Sequence, residues 1–93
     1  MKSEIETLEQ TETQVRLAPQ YKVLIHNDDV NSFNHVILSL HQVFKFELQQ
    51  CVEITIEAHE NGLALCKVEP MEHAELHRDQ LQSFSLVATI EPE

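Results

Sequence analysis

The chain has 93 residues, 42% of them hydrophobic, and its 16 acidic residues against six basic ones give a formal net charge of −10. This length allows one small domain with one modest core. So acidic a chain lacks the Lys/Arg surface needed for sequence-independent nucleic-acid binding. The longest apolar runs, such as Val36 to Leu38, span a few residues, too short for a membrane helix. The opening MKSEIETLEQTETQ has several acids and no apolar stretch. It reads as neither signal nor transit peptide, so the expected location is cytoplasmic. A single glycine, Gly62, leaves no glycine-rich phosphate loop. Two cysteines make neither a disulfide framework nor a four-cysteine zinc site.

Residues 1–18 hold four Glu and only scattered apolar residues, and read as a flexible arm ending at Pro19. A frayed terminus would have the same composition. Tyr21 to His26 (YKVLIH) is a β-branched and aromatic run that stops at Asn27-Asp28-Asp29, which predicts a strand running into a turn. Phe33, Val36, Ile37, Leu40, Val43 and Phe44 recur at helical steps, with Asn31 or Ser32 as N-cap. After a break at Lys45–Glu47, a second helix aligns Leu48, Cys51, Val52, Thr55 and His59, and Gly62 suits its left-handed end. Leu63 to Val68 reads as a second strand. Glu69-Pro70 opens a third helix, whose inward stripe is Ala74, His77 and Leu81. Ser85 to Ile90 is a third strand. The order β-α-α-β-α-β predicts an α/β (α+β type) domain over 19–93, a small three-stranded sheet covered on one face by three helices. The pairing order cannot be read from this pattern.

Asn27-Asp28-Asp29 puts two carboxylates at the end of a strand, where sites are often built. A polar Asx turn would have the same composition. His59 falls on an apolar helical stripe, where an imidazole is either a satisfied core group or aimed at whatever the helix packs on. If that is the end of the first strand, Asn27, Asp28 and His59 converge into an acceptor-rich recess suited to an ammonium group. Asp28 and Asp29 with His59 could also mimic an acid/base set, though no Ser or Cys sits in a nucleophile motif. Cys51 and Cys66 lie at apolar positions and read as small core residues. His73 and His77 are spaced i, i+4, a geometry that can hold zinc, but the sequence assigns no third ligand.

The string YKVLIHNDD (Tyr21 to Asp29) resembles the YKV-hydrophobic-NDD signature of the ClpS adaptor family. So do Phe33-Asn34-His35-Val36 opening a helix, AHENG (Ala58 to Gly62) and LCKV (Leu65 to Val68). The resemblance covers about residues 19–93, and NDD followed some thirty residues on by H-x-x-G is its specific part. Glu69 to Leu76 and Val87 to Pro92 are most similar to the cyanobacterial and plastid-type branch. The resemblance implies an antiparallel sheet and an adaptor, not an enzyme, with no cofactor and no metal. Such adaptors bind N-degrons, proteins whose free first residue is Leu, Phe, Tyr or Trp. They deliver them to a Clp AAA+ unfoldase and its peptidase, docking on the N-terminal domain of a ClpC- or ClpA-type partner.

By the same resemblance Asn27 and His59 hydrogen-bond the substrate's α-amino group, and Asp28 and Asp29 are the acidic pair of that site. One of the two holds the ammonium, partly through water, and the other holds the turn or the peptide backbone. Ile25, Asn31, Phe33, Val36, Leu40, Thr55 and Ala58 form the hydrophobic pocket and its gate. Glu72 belongs to the unfoldase-docking surface, with His77 where a Lys is often used. Residues 1–18 match the N-terminal extension that engages the unfoldase during delivery. Five further positions depart from the family pattern. Phe33 replaces a gatekeeper Met, Thr55 and Ala58 replace larger walls, Asn31 stands where Thr is frequent, and Ser85 where Gly is. Smaller walls favour Phe, Tyr or Trp over Leu. The competing readings are a small metal-binding or regulatory module using His73 and His77, and a hydrolase using Asp28 and His59.

Overall fold

The computed structural model describes residues 18–93. The expected N-terminal arm therefore lies, but for Ala18, outside the described residues. In chain order the elements are β1 (Gln20–His26), α1 (Phe33–Phe44), α2 (Leu48–Asn61), β2 (Leu63–Pro70), α3 (Met71–Ser83) and β3 (Val87–Pro92). The sheet order is β2-β1-β3 with both pairings antiparallel, so the first strand is central. Its sequence suits that place, since VLI at its middle is buried and β-branched or aliphatic.

Antiparallel partners share a face of the sheet. Ile25 pairs with Ala64 and Ala88, and Val23 pairs with Ile90. These residues meet Leu40, Cys51, Ile54, Ala58, Ala74 and Leu81 of the helices in one core. Leu24 looks the other way, toward Leu65 and Thr89, and does not join that core. The register shifts between Val23 and Leu24, so Cys66 has no strand partner and remains in the core as an extra residue. Much of this core is small: Ala58, Ala64, Ala74 and Ala88, with both cysteines. Small side chains let helices lie close on a three-stranded sheet. The cysteines are buried and unbridged. Burial pushes the Cys51 thiol up and the Cys66 thiol to about 12, which leaves both unreactive.

Helix ends follow the sequence closely. Ser32, not Asn31, caps α1, its Oγ accepting from the His35 N–H at 3.2 Å. Lys45 ends that helix in the left-handed region, and Gly62 (φ 89°) ends α2. Three details differ from expectation. Leu48 is 52% exposed, because the buried face of α2 is Cys51, Ile54, Thr55 and Ala58. Glu69 and Pro70 complete β2 instead of opening α3, with Pro70 as the N-cap. Finally, β3 starts at Val87, because Ser85 takes φ 68° and turns the chain before it.

On the inward stripe of α3, Ala74 and Leu81 are fully buried and His77 is half-buried. His77 Nδ1 lies 2.5 Å from the buried Glu69 carboxylate, whose other oxygen lies 3.7 Å from Lys67 Nζ. Its ring packs on Phe44 at 4.8 Å between centroids. A buried carboxylate requires such partners.

Ser85, like Lys45, holds a left-handed backbone without being glycine. A non-glycine residue in the left-handed region costs roughly 1–2 kcal/mol, while a glycine loses roughly 0.4–1 kcal/mol through the unfolded state. Ser85→Gly should therefore stabilise the domain by about 0.5–1 kcal/mol, a rise of roughly 2–8 °C in Tm. Thermal unfolding by circular dichroism checks it, and a lowered Tm would show that the serine side chain holds the turn.

Candidate functional site

The end of β1 and the end of α2 are joined by one backbone hydrogen bond, from the Asn27 N–H to the Gly62 carbonyl at 2.9 Å. Gly62 can present that carbonyl because it closes α2 left-handed, its own N–H returning to Ala58. The junction brings His59, three residues before Gly62, to the same cavity as Asn27. Asn27, Asp29 and His59 are exposed, and none of their side chains hydrogen-bonds or ion-pairs with another described residue. Three polar groups with free lone pairs or charge thus stand at one mouth.

Asp28 is occupied differently. Its Oδ1 accepts from the backbone N–H groups of Val30 (2.9 Å) and Asn31 (2.8 Å), and its Oδ2 from the Asn31 amide (2.9 Å). This is an Asx-type turn built on a carboxylate. The Asn31 backbone N–H, then its side-chain amide, hold the Asp28 carboxyl below the usual 3.8, with Val30 and His35 adding to the effect against partial burial. The two carboxylates are therefore not equivalent: Asp28 holds the loop, and Asp29 is free.

Below this rim lies a cavity of about 220 Å³. Its apolar wall is Ile25 from β1, Phe33 and Val36 from α1, Thr55 and Ala58 from α2, and Leu86 before β3. The Thr55 hydroxyl turns back to the Cys51 carbonyl at 2.7 Å, so it adds no unmet polar group to the wall. The Phe33 ring meets the His59 ring edge-on, with centroids 5.0 Å apart. That contact is favourable for aromatic pairs and sets one side of the mouth.

Asn27, Asp28, Asp29, His59, Ile25, Asn31, Phe33, Val36, Thr55 and Ala58 thus share one cavity. Leu40 does not. It is fully buried in the core, since seven residues along a helix carry it about 10 Å past Phe33. Two lining residues escaped the sequence reading, His26 and Leu86. His26 immediately precedes Asn27, and its Nε2 pairs with Thr89 Oγ1 at 2.7 Å. Leu86 is distant in sequence and reaches the cavity only because β3 pairs with β1. Glu72 is exposed in the first turn of α3, away from the cavity lining, and His77 is tied to Glu69. The metal reading of His73 and His77 finds no support: among the described residues no three His, Cys, Asp or Glu side chains come together to hold an ion.

The family profile described as "ATP-dependent Clp protease adaptor protein ClpS" matches residues 16–89. The chain belongs to the ClpS family. A ClpS adapter of Synechococcus elongatus is 41% identical, the alignment covering 96% of this chain and 97% of that one. The chloroplastic Clp protease adapter of Arabidopsis thaliana is 37% identical over 84% of this chain and 50% of its own. The structure of Agrobacterium tumefaciens ClpS2 bound to L-phenylalaninamide superposes with a TM-score of 0.76 at 28% identity, covering 81% of this chain and 98% of that one. The Synechococcus and Arabidopsis relatives are named as adapters of a protease. None of the described helices is long and apolar enough to cross a membrane.

The Asp28 turn gives a pH prediction. A carboxyl whose folded pKa is depressed adds stability above its unfolded pKa and loses it as pH falls through the folded value. Between about pH 5 and about pH 2, Asp28→Asn should lose less Tm than the parent chain does. Equal losses in both would show that the turn does not depend on the carboxylate charge.

Proposed function

We propose that this ClpS-family chain is a non-catalytic adaptor whose cavity binds the free amino-terminal residue of a substrate protein when that residue is large and apolar. The observation that carries this reading is the pairing of three exposed polar groups that have no side-chain partner among the described residues, Asn27, Asp29 and His59, with the apolar wall of the same cavity. Asn27 Oδ1 and an imidazole nitrogen accept N–H bonds, and Asp29 supplies the opposite charge to an ammonium. The Agrobacterium relative is bound to L-phenylalaninamide, a molecule with a free α-amino group and an aromatic side chain. That ligand has both features this site is suited to read.

The energetics require both parts. Burying a Leu or Phe side chain contributes roughly 1.5–3 kcal/mol. Binding an acetylated or internal residue would leave acceptors buried without donors, at about 1–3 kcal/mol per group. Together they select a free terminus and a bulky side chain at once. Phe33, rigid and held on His59, acts as the gate. Thr55 and Ala58 leave room in the wall, favouring Phe, Tyr and Trp over Leu.

Delivery uses other surfaces. We assign docking on the N-terminal domain of a ClpC- or ClpA-type unfoldase to the exposed face of α3 that carries Glu72. His77 can add only its second ring nitrogen there, Nδ1 being held by Glu69. Residues 1–18 serve as the extension that the unfoldase engages.

Fluorescence anisotropy with peptides beginning in Phe, Leu and Ile, each free and N-acetylated, tests the reading. Free Phe should bind best, and acetylation should remove binding. Asn27→Ala and His59→Ala should each weaken it about tenfold or more, a loss of about 1.4 kcal/mol. Equal affinity for acetylated and free peptides would rule the reading out, and equal affinity for Leu and Ile would remove the gate from it.

A further inference from the structure

Asn31 sits where three parts of the chain meet. Its side-chain Nδ2 donates to Asp28 Oδ2 and to the Ser85 carbonyl, each at 2.9 Å, while its backbone N–H donates to Asp28 Oδ1. An amide nitrogen has two protons, so both are used. The two acceptors belong to separate segments of the chain that border the cavity. Asp28 orders the loop that carries Asn27 and Asp29, and Ser85 precedes Leu86 in the wall. Four residues on, His35 Nε2 pairs with the Phe84 carbonyl at 2.6 Å. Consecutive carbonyls of the α3–β3 turn are thus each gripped from the β1–α1 side. Ser85 between them is held left-handed, a conformation that persists only where its surroundings over-determine it.

We propose that Asn31 is a positioning residue of the site: its amide clamps the Asn27–Asn31 loop to the α3–β3 turn and so fixes the spacing between the polar rim and Leu86. The inference rests on the peptide-binding reading and extends it to a residue that acts through Asp28 and Ser85. A threonine hydroxyl has one proton and can serve one of these acceptors but not both. The titratable groups around Asp28 are Asp29 on its own loop, His35 on α1, His26 at the end of β1 and His59 across the cavity on α2.

The test uses the full chain with Asn31→Ala, Asn31→Thr and, as a control for general loss of stability, Ser39→Ala, which removes a buried hydroxyl bonded to the His35 carbonyl. Two quantities are read: the Asp28 carboxyl titration by NMR in the free protein, and the affinity for a Phe-initial peptide from about pH 3 to about pH 7. Asn31→Ala should move the Asp28 midpoint up toward its ordinary value and shift the acid limb of binding with it. It should also weaken neutral-pH binding about fivefold or more. Asn31→Thr should recover part of each, and Ser39→Ala should move neither titration. If Asn31→Ala does not fold, Asn31→Thr is read on the same two scales. An unmoved Asp28 midpoint with unchanged affinity overturns the proposal. If the parent chain binds no Phe-initial peptide, the peptide-binding reading fails, and the proposal that rests on it is overturned as well.

Discussion

The hydrogen bond from the Asn27 N–H to the Gly62 carbonyl is the contact on which the site depends. It fastens the central strand to the end of α2 at the point where each runs out of its own partners. A strand end and a helix C-terminus both leave backbone groups unsatisfied, and here each supplies what the other lacks. Gly62 makes this possible through its backbone alone. At φ 89° nothing lies within 4 Å of where a Cβ would stand, so the requirement is conformational, not steric. Everything at the mouth follows from that junction: Asn27 from one side, His59 from the other.

A second layer of polar contacts shapes the cavity without entering it. The Asp28 carboxylate is spent on backbone and amide donors of its own loop, which leaves Asp29 as the carboxylate free to face a partner. Ionised groups buried without partners are expensive, so a site that needs a free charge keeps it exposed. The same economy governs Glu69, which lies inside the protein but is matched by His77 and Lys67. That pairing also binds α3 to β2, and so holds in place the helix whose C-terminal turn leads to Leu86.

The element order, the turn at Asn27–Asp29 and the helix end at Gly62 were all legible, because each has a local chemical cause. The face of α2 was less so. Leu48, Val52 and Thr55 make as good a helical stripe as Cys51, Ile54, Thr55 and Ala58, and hydrophobicity alone favours the larger side chains. Packing of α2 against α1 and β2 decides for the second stripe, and that is a tertiary fact. Leu40 was misread for a related reason: periodicity fixes which face a residue takes, not how far along the helix a cavity extends. The use of Asn31 is visible only once β3 is known to lie beside β1. The turn at Ser85 was signalled by the resemblance, which implies a glycine there, and its left-handed backbone is the physical reason.

The account stands on recognition of a terminal cation. An α-amino group with a pKa of about 7.7–8.0 loses its charge within reach of ordinary buffers, and the peptide's hydrophobic side chain does not change with it. The most direct measurement is therefore the affinity for one Phe-initial peptide from about pH 6 to about pH 10 by calorimetry. The account predicts constant affinity up to about pH 8 and then a fall approaching tenfold per pH unit as the amine deprotonates. An affinity that stays level across that range would contradict it.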